Sequence, residues 1–140
     1  MRAIVDTGPL VAFFDKSERY RAWVVARVDE SDAPLPVCEP VLTETFYLLA
    51  RFPRAQDALF DLLRNGALRV AFRLKEPVGA LDRLLREYRD TPMSLADACV
   101  VRMAEIHENR VVLTLDSDFT VYRKHNRVPI PLMHPAVASA

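Results

Sequence analysis

This chain contains little glycine and no excess of charge of either sign. Only 3 of its 140 residues are glycine, too few for a glycine-rich loop that cradles phosphate groups, and the sequence has no Walker motif. The 19 basic and 19 acidic residues give a formal net charge of zero. That balance argues against strong and indiscriminate binding of nucleic acid, which usually requires a surplus of basic residues.

Cysteines and long apolar runs are also few. Cys38 and Cys99 both lie in apolar surroundings and lack the spacing of metal ligands, so we expect buried free thiols in a reducing compartment. No apolar run is long enough to cross a bilayer, and the N-terminus lacks the hydrophobic stretch of a signal peptide. We therefore expect a cytoplasmic protein with no membrane contact.

The remaining composition is that of a folded protein. Hydrophobic residues make up 51% of the chain and charged residues 27%, so we expect a hydrophobic core rather than disorder. A chain of 140 residues fits one domain and leaves little room for two. We expect a single domain over residues 1–140, in which residues 131–140 form a short tail.

Short strands and amphipathic helices alternate along the chain. Apolar runs closed by turn residues predict buried strands, and apolar residues that recur every three or four positions predict helices. The predicted strands lie at 3–5, 35–37, 68–72, 111–113 and 129–133, and the predicted helices at 10–14, 18–28, 40–49, 55–64, 78–88 and 95–108. This alternation predicts an α/β fold with a mostly parallel sheet, in which functional groups gather beyond the carboxyl ends of the strands.

Two aspartates follow predicted strands at their carboxyl ends. Asp6 comes directly after the strand at 3–5, and Asp116 follows the strand at 111–113. If both strands are parallel and central, the two carboxylates converge at one edge of the sheet. Clustered carboxylates repel each other unless a cation lies between them, and oxygen ligands suit Mg²⁺ or Mn²⁺. Asp118 either shares the role of Asp116 or caps the turn that follows.

Two further acids lie early in predicted helices. Ser94 and Asp97 have the spacing of a helix capping box, but an acid in the first turn also projects from the end of the domain where the strands finish. Glu44 lies beside an apolar helix face, where a carboxylate is costly unless it is paired or bound to a metal. The alternative for Glu44 is a side chain that turns out to water or pairs with Arg51.

Four segments resemble the motifs of the PIN domain family, in the order that the family has them. Residues 3–10 (AIVDTGPL) resemble the first motif, a hydrophobic strand followed by Asp-Thr and a small residue. Residues 41–44 (VLTE), 94–98 (SLADA) and 112–119 (VLTLDSDF) resemble the second, third and fourth motifs. The third is the most specific, and the resemblance extends over nearly the whole chain.

The resemblance implies a Rossmann-like α/β/α sandwich and a metal-dependent ribonuclease. It carries an acidic pocket over to Asp6, Glu44, Asp97 and Asp116, with Mg²⁺ or Mn²⁺ as the cofactor. It also implies a VapC-like toxin of a type II toxin–antitoxin pair, which would form a homodimer, cleave RNA and bind an antitoxin that blocks the pocket.

A mechanism follows as a hypothesis from these four acids. We expect Asp6 and Asp97 to bind the metal directly and Asp116 to complete the metal site, while Glu44 orients the attacking water or holds a second ion. The three histidines of the chain lie outside the motifs. Two hydroxyl groups, those of Thr7 and Thr114, are expected to hydrogen-bond the acids.

The sequence gives weaker signals for an RNA-binding surface and for a dimer surface than for the acidic pocket. The basic run at 123–127 (RKHNR) either meets RNA phosphates or forms a solvated loop, and the neutral charge balance predicts modest RNA affinity. The apolar helix faces around Trp23, Phe46 and Leu49 exceed what one small core needs, which favours a dimer surface.

Other enzyme classes fit the sequence less well. The Asp-Thr-Gly triplet at 6–8 also occurs in aspartic proteases, but those are all-β proteins and this chain is mostly helical. A phosphoaspartyl phosphatase requires an acid where Gly8 stands, and the Gly-x-Ser-x-Gly elbow of serine hydrolases is missing. Two alternatives stay open: a PIN nuclease that processes RNA outside a toxin pair, and an inactive PIN-like module that binds RNA or protein.

Overall fold

A computed structural model describes residues 1–137 of the chain, and a short parallel sheet forms its centre. Strand β4 (Val111–Leu113) lies between β1 (Ala3–Val5) and β7 (Leu132–Met133) and is parallel to both. Every residue of β1 is buried. An apolar strand of a parallel sheet is expected to be buried in this way, because helices cover both of its faces.

A second parallel pair, β2 (Leu35–Val37) and β3 (Leu68–Val70), forms a separate two-stranded sheet next to β1. Strand β2 lies directly beside β1, so the strands follow one another across the molecule as β3, β2, β1, β4 and β7. The chain steps outward from β1 to β3 and then returns to β4 on the other side of β1. Such a reversal leaves a crevice at the carboxyl ends of the two central strands, and ligands of α/β proteins bind in such crevices.

Six helices cover this sheet in residues 1–137. They are α1 (Thr7–Phe14), α2 (Arg21–Asp29), α3 (Glu39–Leu48), α4 (Pro53–Arg64), α5 (Val78–Glu87) and α6 (Leu95–Ile106). Helix α1 packs against α2 and α3, whereas α5 packs against α6, which contacts β1 and β4. Right-handed crossovers assign these two groups to opposite faces of the sheet. The predicted α/β/α sandwich with a central, mostly parallel sheet is therefore confirmed.

The helices form close to where the apolar pattern predicts them. Helices α4 and α5 bury Leu59, Leu81 and Leu84 and leave their charged faces in water. Helix α1 begins three residues earlier than predicted, at Thr7, because Asp6 takes the extended conformation of an N-cap and a proline fits the first turn that follows. None of the helices in the described part of the chain is long and apolar enough to cross a membrane.

The two cysteines lie in the core beneath the carboxyl ends of the strands. Cys38 is the N-cap of α3 and Cys99 belongs to α6, and both are buried and free, as predicted. A hydrogen bond with Cys99 and burial raise the pKa of the Cys38 thiol, so this thiol stays protonated.

The end of the chain differs from the prediction. Instead of one strand at 129–133, an antiparallel hairpin of β5 (Arg123–Lys124) and β6 (Val128–Pro129) precedes β7. The expected tail at 131–140 is wrong for residues 132 and 133, because their backbone pairs with β4. Residues 138–140 of that tail lie outside the described residues.

Candidate active site

Asp6 lies at the carboxyl end of β1, beside the point where the strand order reverses. Its backbone N–H donates to the Leu113 carbonyl oxygen at 3.0 Å, so Asp6 continues the ladder between β1 and β4. The residue is 5% exposed, and its Oδ2 accepts a hydrogen bond from the Thr114 hydroxyl at 2.8 Å. The expected hydrogen bond from Thr114 to an acid is therefore confirmed.

Asp116 is positioned through the same threonine. Its backbone N–H donates to Thr114 Oγ1 at 3.0 Å, and its Oδ1 accepts from the backbone N–H of Asp118 at 2.9 Å. This contact begins a single turn of 3-10 helix at Ser117–Thr120. Asp116 lines the acidic pocket, whereas Asp118 does not belong to its lining.

Gly8 lets the first turn of α1 approach the loop that carries Asp116. A Cβ atom at Gly8 would lie 3.2 Å from the Cβ of Leu115, which is closer than ordinary carbon contacts. A larger residue would push this loop away from Asp6. The small residue after Asp-Thr is thus required by packing at the edge of the pocket.

Glu44 reaches the pocket from α3. Its Oε1 accepts a hydrogen bond from the Thr7 hydroxyl at 2.8 Å, which confirms the second expected contact between a threonine and an acid. The guanidinium of Arg51 instead lies 5.0 Å from the centre of the Phe52 ring. Glu44 is therefore held towards the pocket by α1 and is not paired with Arg51.

Asp97 has both of the roles that its sequence position allows. It forms the capping box of α6 with Ser94: its Oδ2 accepts from the Ser94 backbone N–H at 3.1 Å, and its own N–H donates to Ser94 Oγ at 3.0 Å. The same Oδ2 accepts from the hydroxyl of Tyr122 at 3.3 Å. Asp97 also lines the acidic pocket.

Tyr122 is a site residue that the sequence analysis missed. It is fully buried, and its ring packs edge-on against Tyr88 and Phe119, with ring centroids 5.1 Å apart in both cases. No local motif marks this position. Only the fold brings the hydroxyl to Asp97, which lies 25 residues earlier in the chain.

The four predicted acids meet in one open pocket. Its volume is about 540 Å³, and it lies at the reversal point between β1 and β4. The residues that line it are Asp6, Thr7, Gly8, Glu44, Ser94, Asp97, Leu115 and Asp116. Acids from four separate segments of the chain thus face one volume of solvent.

Burial and mutual repulsion make this pocket electrostatically unfavourable for carboxylates. The pKa of Asp6 is raised to about 7, mainly by burial and to a smaller extent by the charges of Asp97 and Asp116, although hydrogen bonds from Thr114 and the Thr7 backbone oppose the shift. Burial also raises the pKa of Asp97, again with contributions from neighbouring carboxylates. A cation in the pocket would relieve both effects.

The donor set fits a hard divalent cation. All four side chains offer carboxylate oxygens, the ligands that Mg²⁺ and Mn²⁺ prefer, and the described residues that line the pocket include no Lys, Arg or His side chain to neutralise them. Within residues 1–137, no group of three or more His, Cys, Asp or Glu side chains already has the arrangement of a metal site. A bound ion would therefore have to draw the carboxylates together.

The basic run at 123–127 is largely used to build the hairpin of β5 and β6. The Arg123 guanidinium donates to three backbone carbonyl oxygens, the nearest that of Thr120 at 2.7 Å. Lys124 is buried, and the backbone N–H of His125 donates to Glu105 on α6 at 2.6 Å. Much of the charge that the sequence offers to RNA is therefore engaged within the protein.

Two comparisons with known proteins agree with this architecture. The family model of the PIN domain matches residues 3–125, which is most of the chain, and the chain belongs to the PIN domain family. It is also 33% identical over 115 residues to Ribonuclease VapC26 of Mycobacterium tuberculosis (strain ATCC 25618 / H37Rv), a match that covers 81% of this chain and 85% of that protein. The expected family is thereby confirmed.

Proposed function

We propose that this protein is a metal-dependent endoribonuclease that hydrolyses phosphodiester bonds of RNA. The observation that carries the proposal is the convergence of Asp6, Glu44, Asp97 and Asp116 on one open pocket at the reversal point of the sheet. Membership of the PIN domain family and the similarity to a ribonuclease support it. A catalytically inactive binding module would not require four acids in one pocket.

Asp6, Asp97 and Asp116 would hold Mg²⁺ or Mn²⁺. When bound, the ion supplies positive charge that stabilises the negative charge developing on the phosphate during hydrolysis. Thr114 fixes Asp6 through one hydroxyl hydrogen bond and Asp116 through another. Ser94 and Tyr122 both bind Oδ2 of Asp97, so Oδ1 is the oxygen left for the ion.

Glu44 would orient the attacking water. Its Oε1 is held by Thr7, and its carboxylate faces the same pocket as the three aspartates. A water that donates a hydrogen bond to this carboxylate is positioned for attack on a phosphate in the pocket, and a fixed position accounts for much of the rate that an enzyme gains.

Cleavage of labelled RNA with Mg²⁺, with Mn²⁺ and with EDTA tests this proposal. The wild type should cleave RNA only with metal, and Asp97→Asn should not, because an amide is a poor ligand for a hard cation. Asp57→Asn is the matched control, since it removes an exposed acid of α4. Cleavage by Asp97→Asn at the wild-type rate would refute the assignment.

We further propose that this single domain is the toxin of a type II toxin–antitoxin pair, that it forms a homodimer and that an antitoxin blocks the acidic pocket. The similarity to Ribonuclease VapC26 supports the toxin role, and the single apolar cluster that joins the layers of the fold supports one domain. Induced expression in growing cells should arrest growth with the wild type and not with Asp97→Asn. Growth arrest by both proteins would show that the arrest does not depend on nuclease activity, and it would contradict the proposed toxin mechanism.

A further inference from the structure

A second concave surface adjoins the acidic pocket. This groove has a volume of about 610 Å³ and lies between the start of α3, residues 72–75 after β3 and the start of α6. Glu44 and Ser94 line both the groove and the acidic pocket. A chain that passes through the pocket can therefore continue into the groove without crossing a barrier.

The walls of the groove combine apolar surface with positive charge. Phe72, Leu74 and Leu95 contribute apolar surface, and Leu95 is 45% exposed although it begins a helix that is otherwise largely buried. Arg73 and Lys75 alternate with the apolar residues and are both exposed. This combination suits a strand that carries phosphates along one side and flat bases along the other.

Two acids, Glu39 and Glu44, also line the groove, but they lie on α3 and the two cations lie on the opposite wall. Arg73 contacts Glu76 at 3.6 Å, but both side chains are exposed, 87% and 62%, so solvent screens the pair and it opens easily. Glu39 lies in the first turn of α3, and Glu44 also lines the acidic pocket. Positive charge is thus concentrated on the wall formed by residues 73–75.

The basic hairpin offers a weaker path for RNA. Its turn is bound to Glu105, eight residues after Asp97 on the same helix, which corresponds to about 12 Å along the helix axis. The hairpin turn therefore lies towards the end of α6 that points away from the acidic pocket. Arg73 and Lys75, by contrast, line the groove that shares Glu44 and Ser94 with the acidic pocket.

We infer that this groove binds single-stranded RNA next to the cleaved phosphate. Arg73 and Lys75 contact the phosphates that flank the scissile one, and a base or ribose rests on the surface of Leu74 and Leu95. This inference rests on the proposed function, because it assigns the path of the substrate through the same site.

Cleavage kinetics of Arg73→Gln/Lys75→Gln test the inference. The double variant should raise KM for single-stranded RNA about tenfold. The slope of log KM against log salt concentration should become shallower by roughly 1.4, which is the effect of two lost phosphate contacts. The value of kcat should stay near that of the wild type, since neither residue lines the acidic pocket. A matched control, Arg2→Gln/Arg110→Gln, removes two charges that precede β1 and β4 at the opposite edge of the sheet, and it should change neither quantity.

A further variant separates the apolar contact from the charged one. Leu95→Ala should raise KM several-fold without altering the salt dependence, since no ionic contact is lost. If the wild type cleaves RNA and both the double variant and Leu95→Ala retain its KM and salt slope, the groove is not the RNA path. If the wild type does not cleave RNA at all, the proposed function itself fails, and the two failures are distinct.

Discussion

Asp6 is a proposed metal ligand, but its position in the fold disfavours the charged form of its carboxyl group. Its carboxyl group is buried at the end of a central strand, and burial raises its pKa to about 7. An ordinary unfolded aspartate ionises near pH 3.8, so without metal the folded protein holds a proton that the unfolded chain has released. The contribution of Asp6 to the stability of the metal-free protein therefore falls as the pH rises from about 4 to about 7 and is constant above that range.

Replacement of Asp6 by Asn should stabilise the metal-free protein at high pH. At pH 8 in EDTA we expect the midpoint of thermal unfolding to rise by roughly 5 °C, because the amide is neutral and can still accept the Thr114 hydrogen bond. At pH 4 the two proteins should unfold at similar temperatures, since Asp6 is then protonated in the folded wild type. Thermal unfolding, monitored by circular dichroism, measures the midpoint at each pH, with Asp57→Asn as the control. An equal gain at both pH values would show that the carboxylate is not the cause.

Tyr122 should act on catalysis through Asp97. Tyr122→Phe removes the hydroxyl that donates to Oδ2 of Asp97, which leaves this proposed metal ligand less firmly oriented, and we expect Mn²⁺ affinity and kcat to fall by about tenfold. The matched control is Tyr88→Phe, because Tyr88 belongs to the same aromatic cluster but uses its hydroxyl to accept from the Arg123 backbone at 2.9 Å. Titration calorimetry and initial rates supply the two readouts. Equal losses in both variants would indicate damage to the cluster and no specific role for Tyr122.

At the scale of elements, the first turn of α6 uses the same hydrogen bonds to cap the helix and to hold Asp97, a proposed metal ligand. Ser94→Ala removes the hydroxyl that accepts from the Asp97 backbone and should lower the free energy of unfolding by about 1 kcal/mol. The Ser94 backbone N–H still binds Asp97, so metal-dependent cleavage should survive in the folded protein. Ser94→Thr keeps a capping hydroxyl and should restore most of the stability in urea unfolding. Loss of cleavage with unchanged stability would assign Ser94 a direct catalytic role instead.

The elements that the sequence predicts well are those with a clear apolar period. The strands that include Ile4 and Val112 are unbroken β-branched runs, and the helix that includes Leu81 and Leu84 has a regular apolar stripe, so their positions follow from local pattern. The hairpin of β5 and β6 has two residues in each strand and shows no period. The residue that could have indicated the hairpin turn is Asn126, because asparagine tolerates the positive φ of 61° found there.

The candidate site was predictable to the extent that topology alone determines it. Parallel strands with a reversal between β1 and β4 bring Asp6 and Asp116 to one edge, and helix starts at that edge supply Asp97 and Glu44. The contact of Tyr122 with Asp97 depends on how the segment after β4 folds back over α6. Side-chain packing of this kind leaves no periodic trace in the sequence.

At the scale of the whole molecule, zero net charge hides an uneven distribution. Acids gather at the reversal point of the sheet, and exposed cations lie on the groove beside it. A strand of RNA would therefore meet local attraction in the groove and repulsion at the acids, which a bound cation would reverse. Such a surface would make RNA binding by the proposed nuclease depend on metal and on the path of the strand, and less on overall charge.

The dimer surface expected from the sequence needs correction. Leu49 is fully buried, whereas the exposed apolar side chains of α3 and α4 are Tyr47, Leu48 and Phe60, at 80%, 52% and 48%. The helical period placed Leu49 on an outer face, but the residue lies at the C-cap of α3, where the helix ends and the chain turns inward. The proposed homodimer is therefore expected to form through the ends of α3 and α4.

Leu48→Ser/Phe60→Ser should weaken self-association at least tenfold, since an apolar contact of two such side chains contributes about 2 kcal/mol or more to a dimer. Val78→Ser/Val121→Ser is the matched control, because these valines are similarly exposed, 57% and 50%, on other parts of the surface. Sedimentation velocity over a range of protein concentrations measures the dissociation constant of each protein. A higher dissociation constant for Leu48→Ser/Phe60→Ser alone assigns the dimer contact to the α3–α4 surface. An unchanged dimer in both variants would place the contact elsewhere, and a wild type that sediments as a monomer at every concentration would rule the homodimer out.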